Sequence, residues 1–387
     1  MLKYLRFYEE RGLRVEKALN QYVWDVEGRK YLDMHTCHGV AFLGHGNPHI
    51  VEALKTQLSK LMVTSTSFST SVMDEMLGAL SKVVPEKFQY VTLLNSGSEA
   101  VELALKIAKR MTGRKSLVAF TSSFHGRTLG ALSVTHNPRY RKDFEPLIPN
   151  VKFGRFNDAE ALDDLITEET AGVIVEVVQG EGGVNLATHE FIRELRRRTY
   201  EVGGLLIIDE VQTGFGRTGK VWAHEYYSIQ ADVLLAGKAL GGGFPVSAVF
   251  MPGDIASKVM RGDHGSTYGG NPLACAAVKA SAELLVRESV PAKAEAAGYE
   301  LLKALRSELD GVKVVRSIRG LGLMAGIELR FLPSPVLRCA QEGGVLLLKA
   351  GATVVRLLPP YMISKEDIRW CTDVVKECLQ RLSSRIT

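Results

Sequence analysis

Lys238 follows the apolar run Val233-Leu234-Leu235-Ala236 and is flanked by Gly237 and Ala239. An ammonium placed there is partly desolvated, which lowers its pKa and suits the amine to Schiff-base chemistry. An isolated lysine in that place more often snorkels from a strand end into water. Asp209 closes a second apolar run, Leu205-Leu206-Ile207-Ile208. A buried carboxylate there is costly unless it meets a cation. In a third segment, Tyr90 to Leu94 runs into Asn95-Ser96-Gly97-Ser98-Glu99, and a helical pattern follows. Ser96 and Glu99 have capping-box spacing, and the free amides of a first helical turn form an anion site. Gly97 lets an anion approach the backbone and the Ser98 hydroxyl adds a donor, although taken alone the segment reads as a plain helix cap. The three features in this order match the needs of one pyridoxal phosphate: a phosphate cradle, a carboxylate for the pyridinium nitrogen and an amine for the aldehyde.

Other chemistries fit less well. Gly214, Gly216 and Gly219 spell a dinucleotide pattern, and Gly214 to Lys220 nearly spells a phosphate loop. The glycines begin five residues after Asp209 instead of directly after a strand, and Val221 stands where magnesium would need Ser or Thr. The five cysteines, at 37, 275, 339, 371 and 378, form no CxxC pair. They read as reduced thiols, with neither a disulfide frame nor a zinc site, so no metal is expected.

The elements that must position these residues follow from periodicity. Short buried-strand patterns at 90–94, 116–120, 172–177, 205–209, 233–236 and 248–251 alternate with helical spacing such as 99–111 and 189–202. That alternation predicts an α/β fold with a mostly parallel sheet and helices on both faces, with ligands at the carboxyl ends of the strands. A helix is expected over 274–287, with strands near 312–315 and 322–328. Residues 21–24 and 31–33 flank Glu27-Gly28, a plausible hairpin turn. The 387 residues are too many for one small core. The expected division is a small domain from both chain ends, 1–52 and 275–387, around a large domain at 53–274.

Composition agrees with a globular protein: 46% hydrophobic and 24% charged. The first residues lack the pattern of a signal peptide, and no apolar run approaches the ~18 residues of a membrane span, so a cytoplasmic protein is expected. A net charge of +5 is mild, and the arginines at 193, 196, 197 and 198 accompany Phe191, Ile192 and Leu195 at helical spacing, which marks a solvated face. No nucleic-acid role is expected, while some attraction for an acidic partner is.

Six segments, in this order, resemble the class III aminotransferases of pyridoxal-phosphate fold type I. They are Asn95-Ser96-Gly97-Ser98-Glu99-Ala100, Phe124-His125-Gly126-Arg127-Thr128, Glu176 to Gly183, Asp209 to Gly214, Gly237-Lys238, and Gly265-Ser266-Thr267-Tyr268-Gly269-Gly270-Asn271-Pro272. The resemblance implies a seven-stranded large-domain sheet and assigns roles. Lys238 would bind the cofactor aldehyde and shuttle a proton, and Asp209 would keep the pyridine nitrogen protonated. Phe124 would stack on the ring, with His125 beside it, and Gln212 would bond the phenolic oxygen. Ser96, Gly97 and Ser98 would hold the phosphate, joined by Ser266 and by Thr267 of a neighbouring subunit, which implies a homodimer with shared sites.

The same resemblance implies how substrates are held. Arg127 would bind the distal carboxylate and Arg356 the α-carboxylate of glutamate, with 2-oxoglutarate as the keto partner; Glu181 would pair with Arg356 when a terminal amine reacts. Standing alone, Glu181 is an ordinary loop carboxylate. Gly39 to His45 and Thr64 to Phe68 resemble the acetylornithine aminotransferase branch, and more closely its archaeal relatives of lysine and arginine biosynthesis. Those relatives act on substrates tethered to an acidic amino-group carrier protein. The implied acceptor is therefore an N-blocked semialdehyde; N-acetylornithine aminotransfer, or an ornithine or omega-amino reaction on the same fold, is the alternative. Cys37 and His38 stand where the family has Gly and an aliphatic residue, and Val177 replaces a usual proline. His38 reads as a structural histidine.

Overall fold

The computed structural model describes residues 2–383. Its largest sheet has seven strands, in the order Tyr90–Leu94, Ser247–Met251, Val233–Ala236, Leu205–Glu210, Thr170–Val175, Ser116–Phe120 and Val151–Gly154. Ser247–Met251 runs antiparallel to both its neighbours, and the remaining pairs are parallel. The Ser116–Phe120, Thr170–Val175 and Val233–Ala236 strands are buried at every position. Such continuous apolar runs mark strands covered on both faces.

The two faces separate cleanly by strand alternation. Leu117, Ala119, Ile174 and Ile207 face the helix Gly97–Thr112, whose Ala100, Ala104, Ile107 and Ala108 form the buried stripe. Val118, Phe120, Val173, Leu206 and Ile208 pack in the cluster that holds Phe191, Ile192 and Leu195 of the helix His189–Glu201. The basic arginines of that helix point outward into ion pairs such as Arg197 with Glu194 and Glu201.

The chain ends supply two further sheets. Val15–Leu19, Tyr22–Asp25 and Lys30–Asp33 form a meander, and Val345–Leu346 joins it in parallel with Lys30–Asp33. The hairpin turn lies where Glu27-Gly28 predicts it: Gly28 has φ +81°, and Asp25 Oδ1 accepts from the amides of Glu27 and Arg29. The other sheet orders Val315–Leu321, Met324–Leu329, Val354–Leu357 and Leu348–Ala350. The strand expected at 312–315 therefore begins only at Val315. Its polar residues hide it from a search for apolar runs, because they pair across the strands: Arg319 and Arg316 both reach the Glu328 carboxylate.

The cysteine expectation needs correction. Cys339 and Cys378 form a disulfide, while Cys37, Cys275 and Cys371 are free. The bonded pair lies on the helices Ser334–Glu342 and Lys365–Ser383, 39 residues apart in sequence. Packing of those helices brings the thiols together, and spacing alone carries no trace of it. No helix among the described residues is long and apolar enough to cross a membrane.

Candidate active site

Parallel strands end where the chain can leave the sheet, and three of them leave polar groups around one cavity of about 370 Å³. Asp209 is the penultimate residue of the strand Leu205–Glu210, Lys238 directly follows Val233–Ala236 and Gly237, and Glu176 directly follows Thr170–Val175. Register makes the acids neighbours, since Val175 pairs with Ile208. The N-terminus of Gly97–Thr112 closes one side, and Phe124 and Val211 also line the space.

The helix start is both a cap and a cradle. Ser96 Oγ accepts from the Glu99 amide at 3.3 Å, and the Glu99 carboxylate takes the Asn95 amide at 3.1 Å. This variant of the capping box, with Glu99 on the Asn95 amide, leaves other first-turn amides without intrahelical partners, and Ser96, Gly97 and Ser98 line the cavity there. A Cβ on Gly97 would come within 2.9 Å of Val211, and one on Gly126 would overlap Ser98 Oγ, so both glycines permit a close-packed wall.

Each ionisable group here has its own environment. Asp209 is buried, accepts His125 Nδ1 at 2.7 Å and the Val211 amide at 3.0 Å, and so has its orientation fixed. His125 Nε2 is buried and has no hydrogen-bond partner. Glu176 takes the amides of Phe124 at 3.0 Å and Gly180 at 3.3 Å, yet burial, opposed by the nearby His125, pushes its carboxyl up to about 7. Desolvation lowers the Lys238 ammonium below its ordinary pKa, against the opposing charge of Glu181. Lys238 is also strained, with φ +46°.

The residues expected to act together divide into two groups. Ser96, Gly97, Ser98, Phe124, His125, Glu181, Asp209, Gln212 and Lys238 all line the cavity. Arg356 lies just behind it, fully buried, giving Nη2 to Glu181 Oε1 at 2.5 Å and Nη1 to Gln212 Oε1 at 3.2 Å. A Cβ on Gly180 would overlap Gln212, so the turn carrying Glu181 is packed against this pair. Burial opposes ionisation of Glu181, but Arg356 and His38 outweigh it and hold the carboxyl far below the usual range. Arg127 is exposed at the rim, its guanidinium 3.5 Å from the centre of the Tyr140 ring. Ser266 Oγ bonds Asn95 Nδ2 at 3.2 Å and the Gly269 amide at 3.0 Å, while Thr267 is exposed and outside the cavity lining.

The Gly214 to Lys220 segment serves another purpose. Arg217 is buried there and binds the carbonyls of Gly39, Leu323 and Pro359 at 2.5–3.2 Å. The sequence alone assigns no role to Glu176 or Val211, whose place beside Asp209 and Lys238 comes from strand register and packing. Each stands at a strand end or just past one, beside a residue already singled out.

A lysine, a histidine-held aspartate and a helix N-terminus at the carboxyl edge of such a sheet define a fold type I, pyridoxal-phosphate-dependent transferase. Residues 7–379 match the class-III aminotransferase family, and the chain belongs to it. It is 53% identical to the [LysW]-aminoadipate semialdehyde/glutamate semialdehyde transaminase of Sulfolobus acidocaldarius, over 99% of each chain. It is 41% identical to the acetylornithine aminotransferase of Archaeoglobus fulgidus, over 96% of each. Among solved structures, the ornithine aminotransferase of Toxoplasma gondii, with pyridoxal phosphate at partial occupancy in its active site, superposes with a TM-score of 0.93 at 30% identity, covering 98% of this chain and 93% of that one. The chain is an aminotransferase that depends on pyridoxal phosphate. Its cavity fits that group: an unpartnered buried imidazole nitrogen beside a fixed aspartate, a cradle of first-turn amides and a desolvated lysine.

Proposed function

We propose that this aminotransferase moves an amino group between glutamate or 2-oxoglutarate and a semialdehyde whose α-amino group is blocked by a carrier protein, in lysine and arginine biosynthesis. The observation that carries the reading is the Glu181–Arg356 pair beside Lys238. A substrate reacting through a terminal amine brings no carboxylate next to the reacting carbon, so the guanidinium is masked by Glu181. Glutamate brings one, and it would displace Glu181 from Arg356. One cavity thereby serves two substrates in turn. Blocking the α-amine prevents the semialdehyde from cyclising, and the carrier is supported by the name of the Sulfolobus relative, a [LysW]-aminoadipate semialdehyde/glutamate semialdehyde transaminase. The reading for N-acetylornithine is weaker, because the relative that bears that name is 41% identical against 53%.

Bound pyridoxal phosphate supplies an electron sink and carries the amino group between the two half-reactions. Lys238 would hold its aldehyde carbon and, once displaced by substrate, move the proton at the substrate carbon. The lowered pKa of Lys238 suits that base role. Asp209, oriented by His125, would keep a proton on the pyridine nitrogen. Phe124 and Val211 would sandwich the ring, Gln212 would bond its phenolic oxygen, and Ser96, Gly97 and Ser98 would hold its phosphate. Arg127 would take the distal carboxylate in a planar fork. Ser266 and Thr267 would complete the phosphate site of a partner subunit in a cytoplasmic homodimer. The chain ends, 1–52 and 275–387, would form the small domain; pairing of Lys30–Asp33 with Val345–Leu346 supports that division.

The test is a single-turnover half-reaction on cofactor-loaded protein, followed by the absorbance of the bound cofactor. Fast conversion by glutamate and by carrier-linked lysine, with slow conversion by acetylornithine, is the expected outcome. Acetylornithine alone reacting fast among the terminal amines would move the enzyme to the arginine branch.

A further inference from the structure

The gate carboxylate has a second nitrogen neighbour. His38 Nδ1 lies 3.6 Å from Glu181 Oε1, the same oxygen that takes Arg356 Nη2. Its imidazole is held between two rings, with His35 at 4.8 Å and Tyr8 at 5.5 Å between centroids.

The backbone that carries this imidazole is under strain. Thr36, Cys37 and His38 have φ of +43°, +50° and +58°, and Gly39 follows at +92°. Thr36–Gly39 is thus one turn of left-handed helix, closed by the Gly39 amide on the His35 carbonyl at 3.3 Å. Left-handed geometry costs about 1–2 kcal/mol for each non-glycine residue. Bonds on both sides offset the cost. Asp33 Oδ1 accepts the amides of His35 and Thr36 at 2.9 and 2.8 Å, and Thr36 Oγ1 donates to the Leu358 carbonyl at 2.6 Å. Gln212 Nε2 donates to the His38 carbonyl at 3.2 Å, and Arg217 to that of Gly39 at 3.0 Å. A strained segment so heavily tied down, next to a working carboxylate, points to a use for what it holds. Gln212 ties this turn directly to Arg356, which it bonds through its own Oε1.

We propose that His38 is the resting partner of the Glu181 carboxylate, receiving it whenever Arg356 turns to the α-carboxylate of an incoming amino acid. The inference rests on the gate reading of Glu181 and deepens it. A carboxylate that leaves a guanidinium inside a partly dry site loses its compensation unless another donor takes it. His38 Nδ1 can be that donor after a movement of about 1 Å, which closes the gap to hydrogen-bond length. Without it, Glu181 stays on Arg356 and competes with the substrate. His38 is then a positioning residue for one half-reaction only.

The experiment compares His38→Asn with the parent as cofactor-loaded enzymes, using glutamate as the α-amino donor and N-acetylornithine as the terminal-amine probe. Asn tolerates left-handed backbone, so the turn survives the change. Expected is a roughly tenfold loss of kcat/KM for the glutamate half-reaction, the size of one charge-assisted hydrogen bond, with the terminal-amine half-reaction within about twofold of the parent. In a Glu181→Ala background the His38→Asn change should have no effect on glutamate. Equal losses on both donors, with or without a lowered melting temperature, would make His38 merely structural. A glutamate loss that persists undiminished in the Glu181→Ala background would overturn the resting-partner role and leave the gate standing. If Glu181→Ala by itself leaves the preference between the two donors unchanged, the gate falls and the role of His38 falls with it.

Discussion

Three carboxylates crowd the carboxyl edge of the central sheet, and each meets a different set of partners. Asp209 has an imidazole at 2.7 Å, and Glu181 has a guanidinium at 2.5 Å. Glu176 has only two amides and a more distant His125, so burial leaves its carboxyl at about 7 against an ordinary 4.5. The linkage has a definite sign. Between pH 4.5 and about 7 the folded chain holds a proton on Glu176 that the unfolded chain has released, so stability falls as pH rises through that window. The full effect of a shift that size is about 3 kcal/mol. Denaturant unfolding of the cofactor-free protein should therefore show Glu176→Gln gaining on the parent as pH rises from about 5 to about 8. A parent and variant that keep a constant difference across that range would show Glu176 ionising normally. For Lys238 the expectation is starker. Lys238→Ala should lose turnover by about a thousandfold or more, and borohydride should no longer trap cofactor on the chain. Retained trapping would shift the attachment to another lysine.

At the scale of elements, the disulfide is a crosslink between two neighbouring helices far from Lys238 in sequence. Closing a loop of 39 residues is worth up to about 4 kcal/mol by chain entropy. For a chain of 387 residues that corresponds to a shift of about 5 °C or less in the melting temperature. Reduction should lower the melt by that amount and leave the half-reaction rates at 25 °C unchanged. A Cys339→Ser, Cys378→Ser double variant should melt low and ignore reductant, and a variant that still responds would point to another thiol. The contrast with the strands shows what a sequence exposes. Runs such as Thr170–Val175 announce themselves because burial on both faces demands unbroken apolar residues. Val315–Leu321 does not, since its partner is a polar ladder through Glu328. The pairing of Cys339 with Cys378, and the left-handed turn at Thr36–Gly39, depend on what packs against them. The site was legible where chemistry coincides with a strand end, as at Asp209 and Lys238. It was illegible where it depends on register, as for Glu176 beside Asp209, or on a turn of unusual hand, as for His38 beside Glu181.

At the scale of the molecule, one chain does not bring every expected site residue to the cavity. Thr267 is exposed and outside the lining, and its neighbour Tyr268 is 63% exposed, as is Phe68 at 66%. Exposed rings of that size are what the shared-site dimer implied by the family resemblance would cover. If the cover is a second copy with each Thr267 at the other subunit's phosphate cradle, as the family resemblance implies, two-fold symmetry makes the two sites equivalent. That arrangement makes a prediction that a monomer cannot imitate. Thr267→Glu puts a negative charge against the phosphate and should cost cofactor affinity, while Lys238→Ala is dead for a different reason. Each variant alone should be inactive. Unfolded together and refolded at equal amounts, they should recover about a quarter of the parent activity, because half of the dimers are mixed and one of their two sites combines an intact Lys238 with an intact Thr267. The recovered activity should run with the dimer on a sizing column. Failure to recover any, from subunits that demonstrably form mixed dimers, would put Thr267 and Lys238 in the same subunit's site, so that neither site borrows a residue from its partner.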